Sequence, residues 1–214
     1  MFELIQAIPF SYAALFPLIN PLGSALIFLA FTQKLAPQST HQLALRISIN
    51  TFIMLVAVLL TGSWVLRFFG ISIPIVQIGG GLVIAYLAWM MLNQKSTGDD
   101  NNTVIVQDDK QASEMAFFPL TMPITAGPGC MAVTITIGAH ELGRGAEYAV
   151  LGQIGAIIGI LLIALSVYFC YRYADLITQR LGASGKQVII RISAFINFCI
   201  GLQIMWHGVQ GLIG

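Results

Sequence analysis

The chain has 214 residues, of which 57% are hydrophobic and only 9% charged, against about 25% charged in a soluble domain. A mean hydropathy of +0.84 and a formal net charge of +1 mark a polytopic membrane protein and exclude the global basic field of a nucleic-acid binder. Cys130, Cys170 and Cys199 are odd in number and sit in apolar runs, so they make neither a disulfide framework nor a metal-ligand set.

In chain order, the N-terminus "MFELIQAIPF" carries Glu3 and no Lys or Arg. It lacks the basic head of a cleavable signal, so the first segment is expected to stay in the mature protein. About 20 apolar residues span a bilayer core, and six stretches qualify: about 10–31, 43–68, 73–92, 115–138, 148–171 and 188–212. Between the third and fourth lies "NQKSTGDDNNTVIVQDDKQASE", a polar and acidic run that reads as a mobile linker. The expected organisation is therefore a three-span unit over 1–93, a linker over 94–114 and a second three-span unit over 115–214.

The basic residues set the orientation. Lys34, Arg46, Lys95, Lys110, Arg172, Arg180, Lys186 and Arg191 flank the first, third and fifth connections, whereas only Arg67 and Arg144 flank the second and fourth. That bias places both termini outside and the acidic linker in the cytoplasm.

"FPLINPLGS" (16–24) and "FPLTMPITAGPG" (118–129) break the first and fourth spans. Each begins Phe-Pro-Leu, and each has a second proline four residues after the first, Pro21 after Pro17 and Pro123 after Pro119. Proline removes an amide donor and clashes with the carbonyl one turn back. A three-span unit ends on the side opposite its start, so a second copy runs upside down. The expected fold is an all-α membrane protein of six helices, arranged as two inverted three-helix repeats with helices 1 and 4 broken by proline, the pattern of many secondary transporters.

Broken helices expose dipole ends at mid-membrane, which suit a small zwitterion. No Asp or Glu falls within the six stretches, and a strongly charged substrate generally needs a buried counter-charge. The expected substrate site comprises Asn20, Pro21, Leu22, Gly23 and Ser24 at the first break and Thr121, Pro123, Thr125, Ala126, Gly127, Pro128 and Gly129 at the second. Asn50 and Gln153, on the second and fifth spans, are added as counterparts in an inverted repeat. Simpler roles compete: Asn20 suits the cap of a half-helix restarting at Pro21, and Thr121 and Thr125 suit hydroxyls bonded back to the preceding turn. Asn197 and Gln203 read as interhelical hydrogen-bonders. Gly79, Gly80 and Gly81 read as a close-packing face, and Trp64, Trp89, Trp206 and Tyr171 to Tyr173 as interfacial anchors.

His140, Glu141 and Glu147 form the one grouping of titratable residues that an enzyme could use, and they read as a solvated loop face. No nucleotide-binding loop, zinc-protease motif or nucleophile elbow is present. No enzyme, cofactor or metal is expected, and an ion gradient, Na+ or H+, or downhill exchange remains as the power source. The expected partners are a small-molecule substrate and the lipid bilayer.

At "LINPLGSALIFLAF" and "PLTMPITAGPG" the chain resembles the MarC family of bacterial inner-membrane proteins, also called the small neutral amino acid transporter family. The matching residues are Asn20-Pro21-Leu22-Gly23, Pro119-Leu120, Pro123 and Gly127-Pro128, with Arg191 at the head of the last span. The resemblance implies six spans, an inner-membrane location and transport of glycine, alanine, serine or similar amino acids. Export of drugs or other small metabolites, or an accessory role beside another membrane protein, are the alternatives.

Overall fold

A computed structural model of the chain describes residues 2–93, 109–142 and 146–213. Every described element is helical: α1 (Phe2–Ile19), α2 (Pro21–Thr32), α3 (Pro37–Phe68), α4 (Ile73–Asn93), α5 (Asp109–Met115), a wide π-helical stretch Ala116–Thr125, α6 (Pro128–Leu142), α7 (Ala146–Arg172) and α8 (Ala174–Ile213). Four helices are long and apolar enough to cross a bilayer: Pro37–Phe68, Ile73–Asn93, Ala149–Arg172 and Gln187–Ile213. Two bent pairs, Leu4–Ile19 with Pro21–Thr32 at 41° and Lys110–Thr125 with Pro128–Leu142 at 73°, meet the same test only when each is taken as one span, which gives four to six candidate spans.

Helix starts follow the prolines. Pro21, Pro37 and Pro128 each open a helix, where the missing amide is no loss and the fixed φ is already helical. Thus α3 begins at Pro37, ahead of the Ser39-Thr40 pair that also suits a start. Gly182, at φ 63, interrupts α8, so the membrane-length part begins at Gln187. The expected linker gives way to helix at Asp109, and the Arg46 guanidinium donates to the Ser113 hydroxyl. Residues 94–108 lie outside the described set.

The core lies where α2, α3 and α7 meet the second break: Leu15, Ile19, Phe28, Leu43, Ile47, Leu55, Ile160, Ile163 and Tyr171 are all fully or almost fully buried. Large apolar side chains such as Ile53, Leu82 and Phe195 are exposed around the outside, as lipid-facing surface requires. Buried hydroxyls are met within their own helices: Thr32 donates to the Phe28 carbonyl at 3.0 Å, Ser48 to Ala44 at 2.8 Å and Thr134 to Cys130 at 2.7 Å. Such bonds let a polar residue sit inside a bundle without a partner helix.

Glycines set the helix spacings. A Cβ on Gly81 would stand 2.5 Å from the Gly201 carbonyl oxygen, and one on Gly201 would stand 2.6 Å from the Ala85 amide nitrogen. Further along the same seam, a Cβ on Gly208 would meet the Pro74 carbonyl oxygen at 2.6 Å. Hence α4 and α8 run antiparallel with backbone against backbone, the approach small residues permit in membranes. Gly80 belongs to a second such contact, with Ala132 of α6, whereas Gly79 has open space around it.

One face of the bundle gathers the start of α1, the 68–73 turn, the end of α6 and the end of α8. Gln6 shares a cavity with Glu141, Arg67 shares another with Leu142, and Gly211 lies against Pro74. The opposite face brings Arg46 to Ser113.

The seam makes a sharp prediction. Gly201→Leu is expected to abolish the folded monodisperse protein in mild detergent, because its side chain must enter the α4 backbone. Gly79→Ala is expected to leave yield and melting temperature within the small range of neutral surface changes, roughly ±0.5 kcal/mol. Size-exclusion profiles and thermal melts of both variants check the contrast.

Candidate functional site

At the first break Asn20 takes a left-handed conformation, φ 46 and ψ 64, the single non-glycine residue at positive φ among those described. Asparagine tolerates this region better than other L-residues. Its side-chain oxygen accepts the Gly23 amide at 3.1 Å, capping α2, and the Ser24 hydroxyl donates back to the Asn20 carbonyl at 2.8 Å. A Cβ on Gly23 would stand 2.1 Å from Asn20 Nδ2, so the cap needs glycine there. The Ser24 hydroxyl also lies 3.2 Å from the Ile19 carbonyl, so the Gly23 amide and the Ile19 and Asn20 carbonyls find partners within the break.

The second break is built differently. Phe118 and Met122 are extended, with φ/ψ near those of a strand, the conformation proline imposes on the residue before it. Phe118–Pro119 and Met122–Pro123 are both cis. The chain then turns in wide loops: the Ala126 amide donates to the Thr121 carbonyl at 2.8 Å, Thr121 Oγ1 to the Ala116 carbonyl at 2.6 Å, and Thr125 Oγ1 to the Leu120 carbonyl at 2.7 Å. The repeated Phe-Pro-Leu therefore takes two conformations, helical at Pro17 and irregular at Pro119. Pro21 restarts a helix, as Pro128 does and Pro123 does not.

Tyr171 joins this region to α7. Its hydroxyl lies 2.7 Å from Thr125 Oγ1, its ring stacks on Phe28 with centroids 4.6 Å apart, and Ser24 faces the same hydroxyl. At 1% exposure it is a core residue, which corrects its reading as an interfacial anchor. Tyr173, half exposed, is not drawn in.

Beside the second break lies a cavity of about 130 Å³. Pro123, Thr125, Gly127 and Gly129 line it from the break, Leu18 from the end of α1, Ile84 and Ala88 from α4, and Asn197 from α8. Among the described residues, no acidic or basic side chain belongs to its walls. Gly129 fits against Ile84, where a Cβ would overlap Cγ1 at 2.1 Å. The head of α6 lies at this space with its positive dipole end, although Pro128 has no amide hydrogen and the Cys130 and Met131 amides donate to the Gly127 carbonyl at 3.0 and 3.3 Å.

The expected site is only partly assembled. Pro123, Thr125, Gly127 and Gly129 share the cavity; Thr121, fully buried, Ala126 and Pro128 shape the turn behind it. Asn20, Pro21, Leu22, Gly23 and Ser24 do not line it, and neither do Asn50 and Gln153, which are half-buried on α3 and α7. Asn197 does line it, and its Oδ1 is buried without a hydrogen-bond partner among the described residues. A lone amide in an apolar span was the available signal, but periodicity could not say which neighbour it faces.

Glu141 overturns a second expectation. It is 2% exposed, within α6, so it belongs to no solvated loop face and the bundle does contain a buried carboxylate. The Glu147 side chain lies outside the described residues.

Two substitutions separate the parts of the break. Tyr171→Phe removes one hydroxyl from a buried pair and is expected to cost about 1–3 kcal/mol, read as a lower melting temperature in detergent. Asn20→Ala loses the cap, about 0.5–2 kcal/mol, and forces a methyl side chain into the left-handed region, whereas Asn20→Gly is expected to recover part of that loss.

No solved structure matches the chain. In sequence, it is 28% identical over 214 residues to a UPF0056 membrane protein of Pyrococcus abyssi, with all of both chains covered. To the UPF0056 inner membrane protein MarC of Salmonella typhimurium it is 29% identical over 218 residues, covering 100% of this chain and 98% of that one. The corresponding Salmonella arizonae protein is 30% identical over 219 residues, with the same coverage. The MarC family of integral membrane proteins matches residues 5–213, both breaks and all the spans included. The chain belongs to the MarC family of integral membrane proteins.

Proposed function

We propose that this protein is a secondary transporter of small neutral, zwitterionic amino acids such as glycine, alanine or serine, held at the second helix break. The observation that carries the reading is the cavity at the head of α6. It pairs a positive helix end, suited to a carboxylate, with the buried acceptor Asn197 Oδ1, suited to an ammonium. Among the described residues its walls carry no acidic or basic side chain, as a substrate of zero net charge allows.

Size supports the same class. A volume of about 130 Å³ lies below the roughly 300–1,000 Å³ of sites for drug-sized ligands. This weighs against bulky amphipathic cargo. Thr125 links the cavity to the Tyr171 and Phe28 packing, so occupancy and the shape of the break are mechanically connected.

The helix contacts support an inverted repeat. α1 packs on α7 and α3 on α6; α4 packs on α8 and α3 on α7. Exchanging the first, second and third spans for the fourth, fifth and sixth maps this set of contacts onto itself. Alternating access in such proteins moves one repeat against the other about the site. With the bias of the basic residues, we place both termini outside and the 94–108 segment in the cytoplasm, and the Salmonella relatives' name supports the inner membrane.

The test is counterflow in liposomes preloaded with unlabelled alanine, glycine or serine, with trace label outside. The wild-type protein is expected to accumulate label. Asn197→Leu is expected to lower the rate at least about tenfold while holding or raising the melting temperature, because Oδ1 gives up no protein partner. Absence of counterflow with all three amino acids, from folded protein, would overturn the proposal.

A further inference from the structure

The 68–73 turn borders a cavity of about 260 Å³ between α3, α4 and α6, on the face that carries the termini. Ser63, Leu66 and Arg67 of α3, Ile71 and Ser72 of the turn and Ala139 of α6 are among its walls. Ser63 is 7% exposed, and its Oγ has no hydrogen-bond partner among the described residues. Thr32, Ser48 and Thr134 each donate to the carbonyl four residues back, but Ser63 makes no such bond to Leu59. At Leu59, Gly138 of α6 packs so closely that a Cβ on it would stand 2.4 Å from the carbonyl oxygen.

One turn beyond Ser63, the Arg67 guanidinium belongs to the same walls and makes no ion pair or hydrogen bond among the described residues. α4 begins at Ile73, also in the wall, with Ser72 just before it, so the positive end of a 21-residue helix adds to the field. Among the described residues no acidic side chain joins these walls; Glu141, two residues after Ala139, lies against Gly152 of α7 instead. Arg67 also favours the negative end of its own helix. That accounts for the charge at this place but not for a buried hydroxyl beside it that lacks an acceptor, which costs free energy. A guanidinium, a hydroxyl donor and a helix N-terminus together recognise an oxyanion. Leu66, Ile71 and Ala139 make the remaining walls apolar, as a short aliphatic tail requires. A cation or the ammonium of a zwitterion finds no counter-charge there.

We infer that this cavity is a binding site for small organic carboxylates with a short apolar tail, held by Arg67 and Ser63. It shares no wall residue with the cavity at the head of α6, and it stands whether or not that one carries amino acids.

Saturation-transfer NMR on the purified protein in a non-ionic detergent tests this, with butyrate and butylammonium as separate probes and dihexanoyl phosphatidylglycerol as competitor. Butyrate is expected to bind and butylammonium is not. Arg67→Gln, at an exposed position that folding tolerates, is expected to weaken butyrate at least about tenfold. Arg67→Lys keeps the charge without the forked donor and is expected to recover part of that loss. Ser63→Ala is expected to weaken butyrate about threefold or more while holding or raising the melting temperature, because the hydroxyl gives up no protein partner. A packing role alone would leave the affinity unchanged. Asn197→Leu is expected to leave butyrate binding intact, so failure at the other site is told apart from failure here. Undiminished butyrate binding in either Arg67→Gln or Ser63→Ala, or equal binding of butylammonium, would overturn the inference. Displacement of butyrate by equimolar phosphatidylglycerol would overturn it too and assign the cavity to a lipid headgroup.

Discussion

A backbone amide or carbonyl without a partner cannot stay in hydrocarbon, where each costs several kcal/mol. Two proline-broken spans create several such groups, and the rest of the structure is arranged around satisfying them. At Asn20 the solution is local: one left-handed residue, one capping amide and one serine hydroxyl close the gap. Around Pro119 and Pro123 a local repair does not suffice. The chain widens into a π-helical path, and two threonines, a stacked tyrosine and a neighbouring helix are recruited. The break that needs more help is also the one that leaves a cavity.

That difference explains which residues gather at the candidate site. At the first break Asn20 Oδ1 and the Ser24 hydroxyl are engaged close by, and Asn20 to Ser24 do not line the cavity beside the second break. In the second, the helix restarts at Pro128 beside empty space, and α8 contributes an amide from across the bundle. The cavity is therefore lined by the second break, α4, α8 and Leu18 at the end of α1, rather than by two breaks meeting face to face.

Much of the fold was legible because hydropathy and proline speak directly. Six apolar stretches, the half-helix restart at Pro21 and the back-bonding of Thr121 and Thr125 all follow from residue type and neighbourhood. Side-chain destinations across helices were not legible. Tyr171 sits near basic Arg172 and so looks interfacial, yet the helix rotates it inward onto Phe28. Glu141 closes a hydrophobic run and so looks solvated, yet α6 extends past the end of the apolar window and carries it into the bundle. Asn197 was visible as an amide but not as a wall, since its neighbours are fixed by the close approach of α4 and α8. The equality of the two Phe-Pro-Leu motifs was misleading for a related reason: the residues that follow, Ile-Asn against Thr-Met, decide how the break is repaired.

The glycine seam between α4 and α8 has a consequence for motion. Where Gly81, Gly201 and Gly208 lay backbone on backbone there is little to unlatch, so the small shear that packed helices allow meets resistance mainly where side chains cross the seam, as Trp89 and Phe198 do with ring centroids 5.9 Å apart. The Tyr171 contact is the opposite kind of joint, since displacing it breaks a hydrogen bond and a ring stack together. The first contact is thus made more like a bearing and the second like a clasp.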